Sequence, residues 1–268
     1  MSTPATGASQ HRVTTAVDGD VWRVTLDNGD AGNPVDLPMA EQLTAAFAQR
    51  PAGTRAVLLT ANGPRFCVGG DVRVFAAAED LPALVSRLAE AWHEVVRAVL
   101  YCDVPVVAGV HGAVAGAGLG LLGACDIVVC ARSTKLRPAY GALGFSPDGG
   151  TSWALTRALG APRALELMLT DGTLHAADAH LFGLVARLVD DEALLDSAVA
   201  LAHQVAAGPV HAMVRTRGLV RRAVTRTLDE QLDDEARLIA ESAADPEGQE
   251  GVRAFAEKRR PDFRGAAR

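Results

Sequence analysis

Phe66-Cys67-Val68-Gly69-Gly70-Asp71 follows the apolar run Ala56-Val57-Leu58-Leu59-Thr60. Farther along, Gly112-Ala113-Val114-Ala115-Gly116-Ala117-Gly118 follows Val104-Pro105-Val106-Val107-Ala108. Strand, tight turn, then a helical pattern is how a chain presents free backbone N–H groups to a ligand. Two such turns converging on one point supply a pair of donors for a developing oxyanion. The pattern therefore predicts chemistry on a carbonyl, independent of any particular side chain.

The elements around these turns alternate. Residues 12–17 and 21–26 read as a hairpin about Asp18-Gly19-Asp20, and Leu37 to Arg50 reads as an amphipathic helix. Strand 56–61 leads into the first glycine turn. Leu81 to Leu100 follows as a long helix, with Leu84, Leu88, Ala91, Val95 and Val99 on one face. Strand 104–110 enters the second turn, then a short apolar helix over 117–124 and a buried strand from Ile127 to Cys130. Asp148-Gly149-Gly150 opens a helix to Leu159, Pro162 begins another, and Leu184 to Val189 is a last short strand. From Glu192 onward the pattern is helical, broken at Gly208-Pro209 and Asp245-Pro246. Strands spaced by helices imply an α/β layered core over 12–190, with 191–268 a helical module and 1–11 a flexible tail.

Composition bounds the function. In 268 residues, 49% are hydrophobic and only 4% aromatic, so Ala, Val and Leu must fill a full-sized core. A net charge of −6 argues against a nucleic-acid footprint, which needs a basic face. No apolar run approaches the ~20 residues that span a bilayer. Met1 to Gln10 lacks a charged-then-apolar signal pattern. Cys67, Cys102, Cys125 and Cys130 show no metal-ligand spacing, so free buried thiols in a reducing cytoplasm are expected, and no metal.

Phe66-Cys-Val-Gly-Gly-Asp-Val72, Pro105 to Gly118, Ala124-Cys-Asp126, Gly144-Phe-Ser-Pro-Asp-Gly-Gly150, Ala164 to Thr170 and Gly183-Leu-Val185 occur in one order and spacing. Together they resemble the crotonase (enoyl-CoA hydratase/isomerase) superfamily, over roughly residue 12 to Phe263. The resemblance implies a spiral of ββα units, a helical C-terminal module that makes homotrimers or hexamers, and an acyl-CoA thioester substrate with no separate cofactor. It places the two oxyanion donors on the backbone N–H of Gly70 and of Ala117. Asp71, beside the first, reads as a helix cap rather than a catalyst.

The chain departs from that family where hydratases carry two glutamates, one to activate water and one to handle the α-proton. Those positions are Gly120 and Tyr140 here. Asp148 replaces them. Ser146 to Trp153 resembles the isomerase-like branch, including 1,2-epoxyphenylacetyl-CoA isomerases, in which an Asp here is the acid/base. The position also matches the nucleophilic Asp of chlorobenzoyl-CoA dehalogenases, whose helper His falls on His93, after Trp92, and whose ring-stacking Trp falls on Tyr140. An Asp before Gly-Gly also caps helices, and both roles are compatible in Asp148. An enoyl-CoA isomerase with Asp148 as acid/base is the first expectation; a hydratase with an atypical site, or a dehalogenase or thioesterase with Asp148 as nucleophile, is the second; a non-catalytic CoA-binding protein is the third.

His93 has two readings, a structural residue on a helix flank or a pocket residue. Tyr140 either lines the acyl pocket or is an ordinary half-buried Tyr. Lys258-Arg259-Arg260-Pro261-Asp262-Phe263 is basic with one aromatic. The resemblance implies that Lys258 and Phe263 help hold CoA across a subunit boundary, against a solvated basic tail. Val35, in the loop from Asn33, matches the family's first CoA-contacting loop. Val72 to Leu84 is expected to shape the acyl pocket.

Overall fold

The computed structural model describes residues 11–266. The tail assigned to 1–11 lies, apart from His11, outside them.

The first hairpin forms as expected: β1 (Val13–Asp18) pairs antiparallel with β2 (Val21–Leu26), turning at Gly19. Asp36 caps α1 (Leu37–Ala48), accepting from the Met39 N–H at 2.9 Å. The helix returns the chain to β3 (Ala56–Ala61), which lies parallel to β2. Asp71 caps α2 (Val72–Ala76), and Asp80 caps α3 (Leu81–Leu100). α3 crosses over to β4 (Val106–Val110), parallel to β3.

At Gly112 the chain turns out of this sheet into β5 (Ala113–Ala115), then α4 (Ala117–Ala124), and re-enters as β6 (Ile127–Ala131). β7 (Lys135–Arg137) pairs with β5. Then come α5 (Thr151–Leu159), α6 (Ala161–Leu169), β8 (Leu174–His175), α7 (Ala176–Leu181) and β9 (Arg187–Val189). The main sheet runs β1-β2-β3-β4-β6-β9, and a small sheet runs β5-β7-β8. The rest is helical: α8 (Leu194–Ala206), α9 (Val210–Ala223), α10 (Leu228–Ala244), α11 (Pro246–Ala256) and α12 (Phe263–Ala266).

The central strands are apolar without alternation because both faces of the sheet are covered. Val57 and Leu59 of β3 face the main core with α1, α3 and α4, while Ala56 and Leu58 face α8 through Ala198 and Leu201. The buried edge of α3 is Leu88, Trp92, Val95 and Val99, so fully buried Trp92, rather than Ala91, sits at its centre. α9 is tied to the sheet by Arg217 and Arg221, which reach the Asp126 carboxylate at 3.1 and 2.9 Å. No single helix among the described residues is long and apolar enough to cross a membrane.

Candidate active site

The two glycine corners lie side by side. β5 runs along the segment before the first corner: the Cys67 N–H donates to Ala113 O at 3.2 Å, and the Ala115 N–H donates to Cys67 O at 2.8 Å. Gly69 and Gly116 both hold positive φ and touch. A Cβ on Gly116 would stand 3.3 Å from Gly69 Cα, and one on Gly69 would stand 3.1 Å from Ala115 O. Only glycines combine that backbone with that approach.

Beyond this contact stand Gly70 and Ala117, and both line one cavity. Val35 holds the first corner, its N–H donating to Gly69 O at 2.7 Å and its carbonyl accepting from Asp71 N at 3.1 Å. Among the described residues, no protein acceptor takes the Gly70 N–H or the Ala117 N–H. Ala117 is the first residue of α4, so its amide is one that a helix leaves unpaired, at the positive end of the dipole. A Cβ on Gly70 would meet Phe75 Cζ at 2.6 Å, so a larger residue there would displace that ring.

The cavity measures about 690 Å³ and is mostly apolar, with Val72, Phe75, Leu81, Pro82 and Val85 among its walls. Phe75 pairs with Phe145, ring centroids 6.2 Å apart. Trp92, Tyr140 and Asp148 also line it, and Asp148 is the one carboxylate that does so among the described residues.

Asp148 does not cap α5. Gly150 takes the cap position without a side-chain bond, and Asp148 contributes only its backbone carbonyl, to the Thr151 N–H at 3.0 Å. Two successive glycines with positive φ carry the chain past the cap, and this frees the carboxylate. Asp148 Oδ1 instead accepts from the Tyr140 hydroxyl at 2.7 Å. Burial first, then the Asp148 charge, pushes the Tyr140 phenol well above its ordinary range, so it stays a proton donor.

Gly120 and Tyr140, where the sequence lacks glutamates, are structurally specific. A Cβ on Gly120 would lie 1.8 Å from Gly149 O, so the backbone that carries Asp148 fills the space through which a longer side chain would enter. Tyr140 is engaged with the very carboxylate that replaces the pair.

His93 is not a lining residue of the cavity. Its Nε2 accepts from the Gly149 N–H at 3.3 Å, so it braces the Asp148 loop from behind, and the pocket reading is corrected. Trp92 donates its indole N–H to Ala117 O at 3.2 Å, steadying the start of α4. Lys258 lies in the turn after α11 and Phe263 opens α12, and neither lines this chain's cavity. Phe263 packs near Gly251, and Lys258 is exposed. Sequence reasoning missed Thr151, fully buried, whose hydroxyl reaches Gly116 O at 3.1 Å. The signal for it was faint: a Thr at a helix start reads as an ordinary first-turn residue.

The fold and the paired corners are those of a family of enzymes that act on acyl-CoA thioesters, and comparison with known proteins agrees. A family model described as enoyl-CoA hydratase/isomerase matches residues 17–266, and the chain belongs to that family. It is 37% identical to the 1,2-epoxyphenylacetyl-CoA isomerase of Escherichia coli K12, over 93% of this chain and 97% of that one. It is 32% identical to the trans-2-decenoyl-[acyl-carrier-protein] isomerase of Streptococcus mutans, over 93% and 96%. The crystal structure of an enoyl-CoA hydratase from Polaromonas superposes with a TM-score of 0.87 at 31% identity, covering 93% of this chain and 98% of the other. Hydratase names are also common among the relatives.

Proposed function

We propose that this enzyme is an acyl-CoA isomerase with Asp148 as its single acid/base and the Gly70 and Ala117 N–H groups as oxyanion donors. Asp148 takes a proton from the carbon α to the thioester, and the electron pair moves into the enolate. The two N–H groups hold the negative oxygen, and Asp148 returns the proton at the γ carbon, so the double bond moves. Removing one such donor typically costs on the order of 10²–10³ in rate, and a positioned acid/base supplies roughly 10²–10⁴. One carboxylate therefore suffices.

The observation that carries this reading is the collision at Gly120: the backbone of the Asp148 loop stands where a hydratase's first glutamate would begin. The names of the two isomerase relatives point the same way. A nucleophilic Asp148 is disfavoured because a covalent ester needs a base to activate water, and His93 spends its free nitrogen on the Gly149 N–H.

The test is a β,γ-enoyl-CoA supplied in H₂¹⁸O. Isomerisation yields the α,β-enoyl-CoA without ¹⁸O. A product heavier by one water makes the enzyme a hydratase, and an acyl-aspartyl adduct by mass spectrometry makes Asp148 a nucleophile.

Assembly as a homotrimer, or a dimer of trimers, belongs to the same proposal. α10 and α11 expose Leu228 (73%), Ile239 (70%) and Phe255 (87%), apolar surface that a second copy would cover. In that assembly a neighbour's Lys258 and Phe263 would meet the CoA moiety. A cytoplasmic location accords with four free buried cysteines.

A further inference from the structure

Thr151 is fully buried, and neither the proton transfer nor the capping of α5 employs its hydroxyl. Its position follows from two glycines on α4. A Cβ on Gly123 would lie 2.2 Å from Ala154 Cβ, and one on Gly120 would lie 3.0 Å from Thr151 N. α5 thus lies hard against α4. This brings Thr151 Oγ1 to 3.1 Å from Gly116 O and 3.2 Å from the Tyr140 hydroxyl.

The Gly116 carbonyl and the Ala117 N–H belong to one planar, resonance-coupled peptide unit. A donor on that oxygen draws electron density from the nitrogen, which makes the N–H a stronger donor and fixes the plane of the peptide. We propose that Thr151 is a positioning residue that orients and polarises the Gly116–Ala117 peptide, tuning its N–H for the thioester oxygen. This rests on the assignment of Gly70 and Ala117 as the oxyanion donors.

Counting protons supports the direction. Tyr140 has one, and gives it to Asp148 Oδ1 in its shortest contact, 2.7 Å. The Thr151 proton then has two acceptors in reach, the Tyr140 oxygen at 3.2 Å and Gly116 O at 3.1 Å, and the peptide carbonyl is the nearer and the better acceptor. Once Asp148 has accepted the substrate's proton, its call on the phenol weakens. Tyr140 can then donate to Thr151, reinforcing the Thr151-to-Gly116 bond while charge sits on the thioester oxygen. The acid/base and the oxyanion donor are so linked through two hydroxyls.

The experiment compares wild type, Thr151→Val, which keeps the shape without the proton, and Thr151→Ser, which keeps the proton. The first readout is the infrared stretch of a ¹³C-labelled thioester carbonyl in a bound saturated acyl-CoA, and the second is turnover of a β,γ-enoyl-CoA. Cooperative strengthening of about 10–30%, applied to a donor worth on the order of 10²–10³ in rate, predicts a roughly two- to eightfold fall in kcat for Thr151→Val. KM should scarcely move, the carbonyl stretch should shift back toward its value in water, and Thr151→Ser should restore both.

An unchanged stretch in Thr151→Val, or a Thr151→Ser that behaves like Thr151→Val, overturns the proposal. If Thr151→Val fails to fold, Thr151→Ala against Thr151→Ser makes the same comparison. A wild type that shifts the carbonyl without isomerising leaves the Thr151 role standing and removes the isomerase assignment. A wild type that does not shift the carbonyl removes both.

Discussion

Gly120 is the position at which even the first atom of a side chain would collide with the Asp148 loop. In Gly120→Ala the new Cβ would be born 1.8 Å from Gly149 O, so that carbonyl must retreat roughly 1.2 Å to reach 3.0 Å, the closest approach real Cβ atoms show. The oxygen belongs to backbone, held by His93 on one side and by the start of α5 on the other. Overpacking of this kind costs about 1–3 kcal/mol, offset by up to about 1 kcal/mol of helix propensity gained from glycine to alanine. A net loss near 1 kcal/mol lowers Tm by only about 2–4 °C in a chain of this size.

Activity should suffer far more. Asp148 immediately precedes the displaced carbonyl, and a misplacement of about 1 Å can cost on the order of 10² in rate. Steady-state isomerisation beside calorimetry measures both. Gly120→Glu should do the same and gain no hydratase activity, because the incoming side chain displaces the acid it was meant to join. A Gly120→Ala enzyme with wild-type kcat, or a Gly120→Glu enzyme that hydrates an α,β-enoyl-CoA, would refute this view of the Asp148 loop.

Asp148→Asn should lower kcat by roughly 10²–10⁴ while acyl-CoA still binds, as followed by calorimetric titration; equal turnover removes Asp148 from the chemistry. Burial pushes the Cys67 and Cys130 thiols up to about 11. At about pH 8 the folded protein should therefore resist alkylation, and unfolded protein should react at all four cysteines; rapid labelling of Cys67 in native protein would contradict the burial. Glu250 is held at about 2, against an ordinary 4.5, first by its hydrogen bond from Arg259 and next by the Asp262 N–H. A depressed carboxylate contributes stability that is fully present above about 4.5 and lost as pH falls toward 2. The Tm-against-pH curve of Glu250→Gln should accordingly be flatter over that window, and a parallel curve would show the pair to be inert.

Much of the fold was legible because its signals are local. β3, α3 and α4 occupy the ranges expected from apolar runs and glycine turns, since a strand covered on both faces has no other pattern to show. The small sheet was not legible: β5, β7 and β8 are three, three and two residues long, too short for periodicity. The break between α9 and α10 at 224–227 carries neither Gly nor Pro, and so passed unmarked. Within the site, the lost glutamates could be read from Gly120 and Tyr140. What filled their places could not, because the contacts from Gly149 to Gly120 and from Tyr140 to Asp148 depend on how α4 and α5 pack. A cap role stayed open beside the catalytic one for Asp148 because an Asp before Gly-Gly at a helix start commonly caps it. Only the positive φ of both glycines shows that the helix begins two residues too late for its side chain. His93 was left with two readings for a related reason: its helix face is visible in sequence, but the loop it meets is not.

The most direct measurement is a crystal structure with a non-isomerisable acyl-CoA bound. The thioester oxygen is expected about 2.7–3.1 Å from both the Gly70 and Ala117 nitrogens, with the Asp148 carboxylate against the α and γ carbons. A thioester oxygen that meets only one of those amides, or an acyl chain that runs away from Asp148, would contradict it.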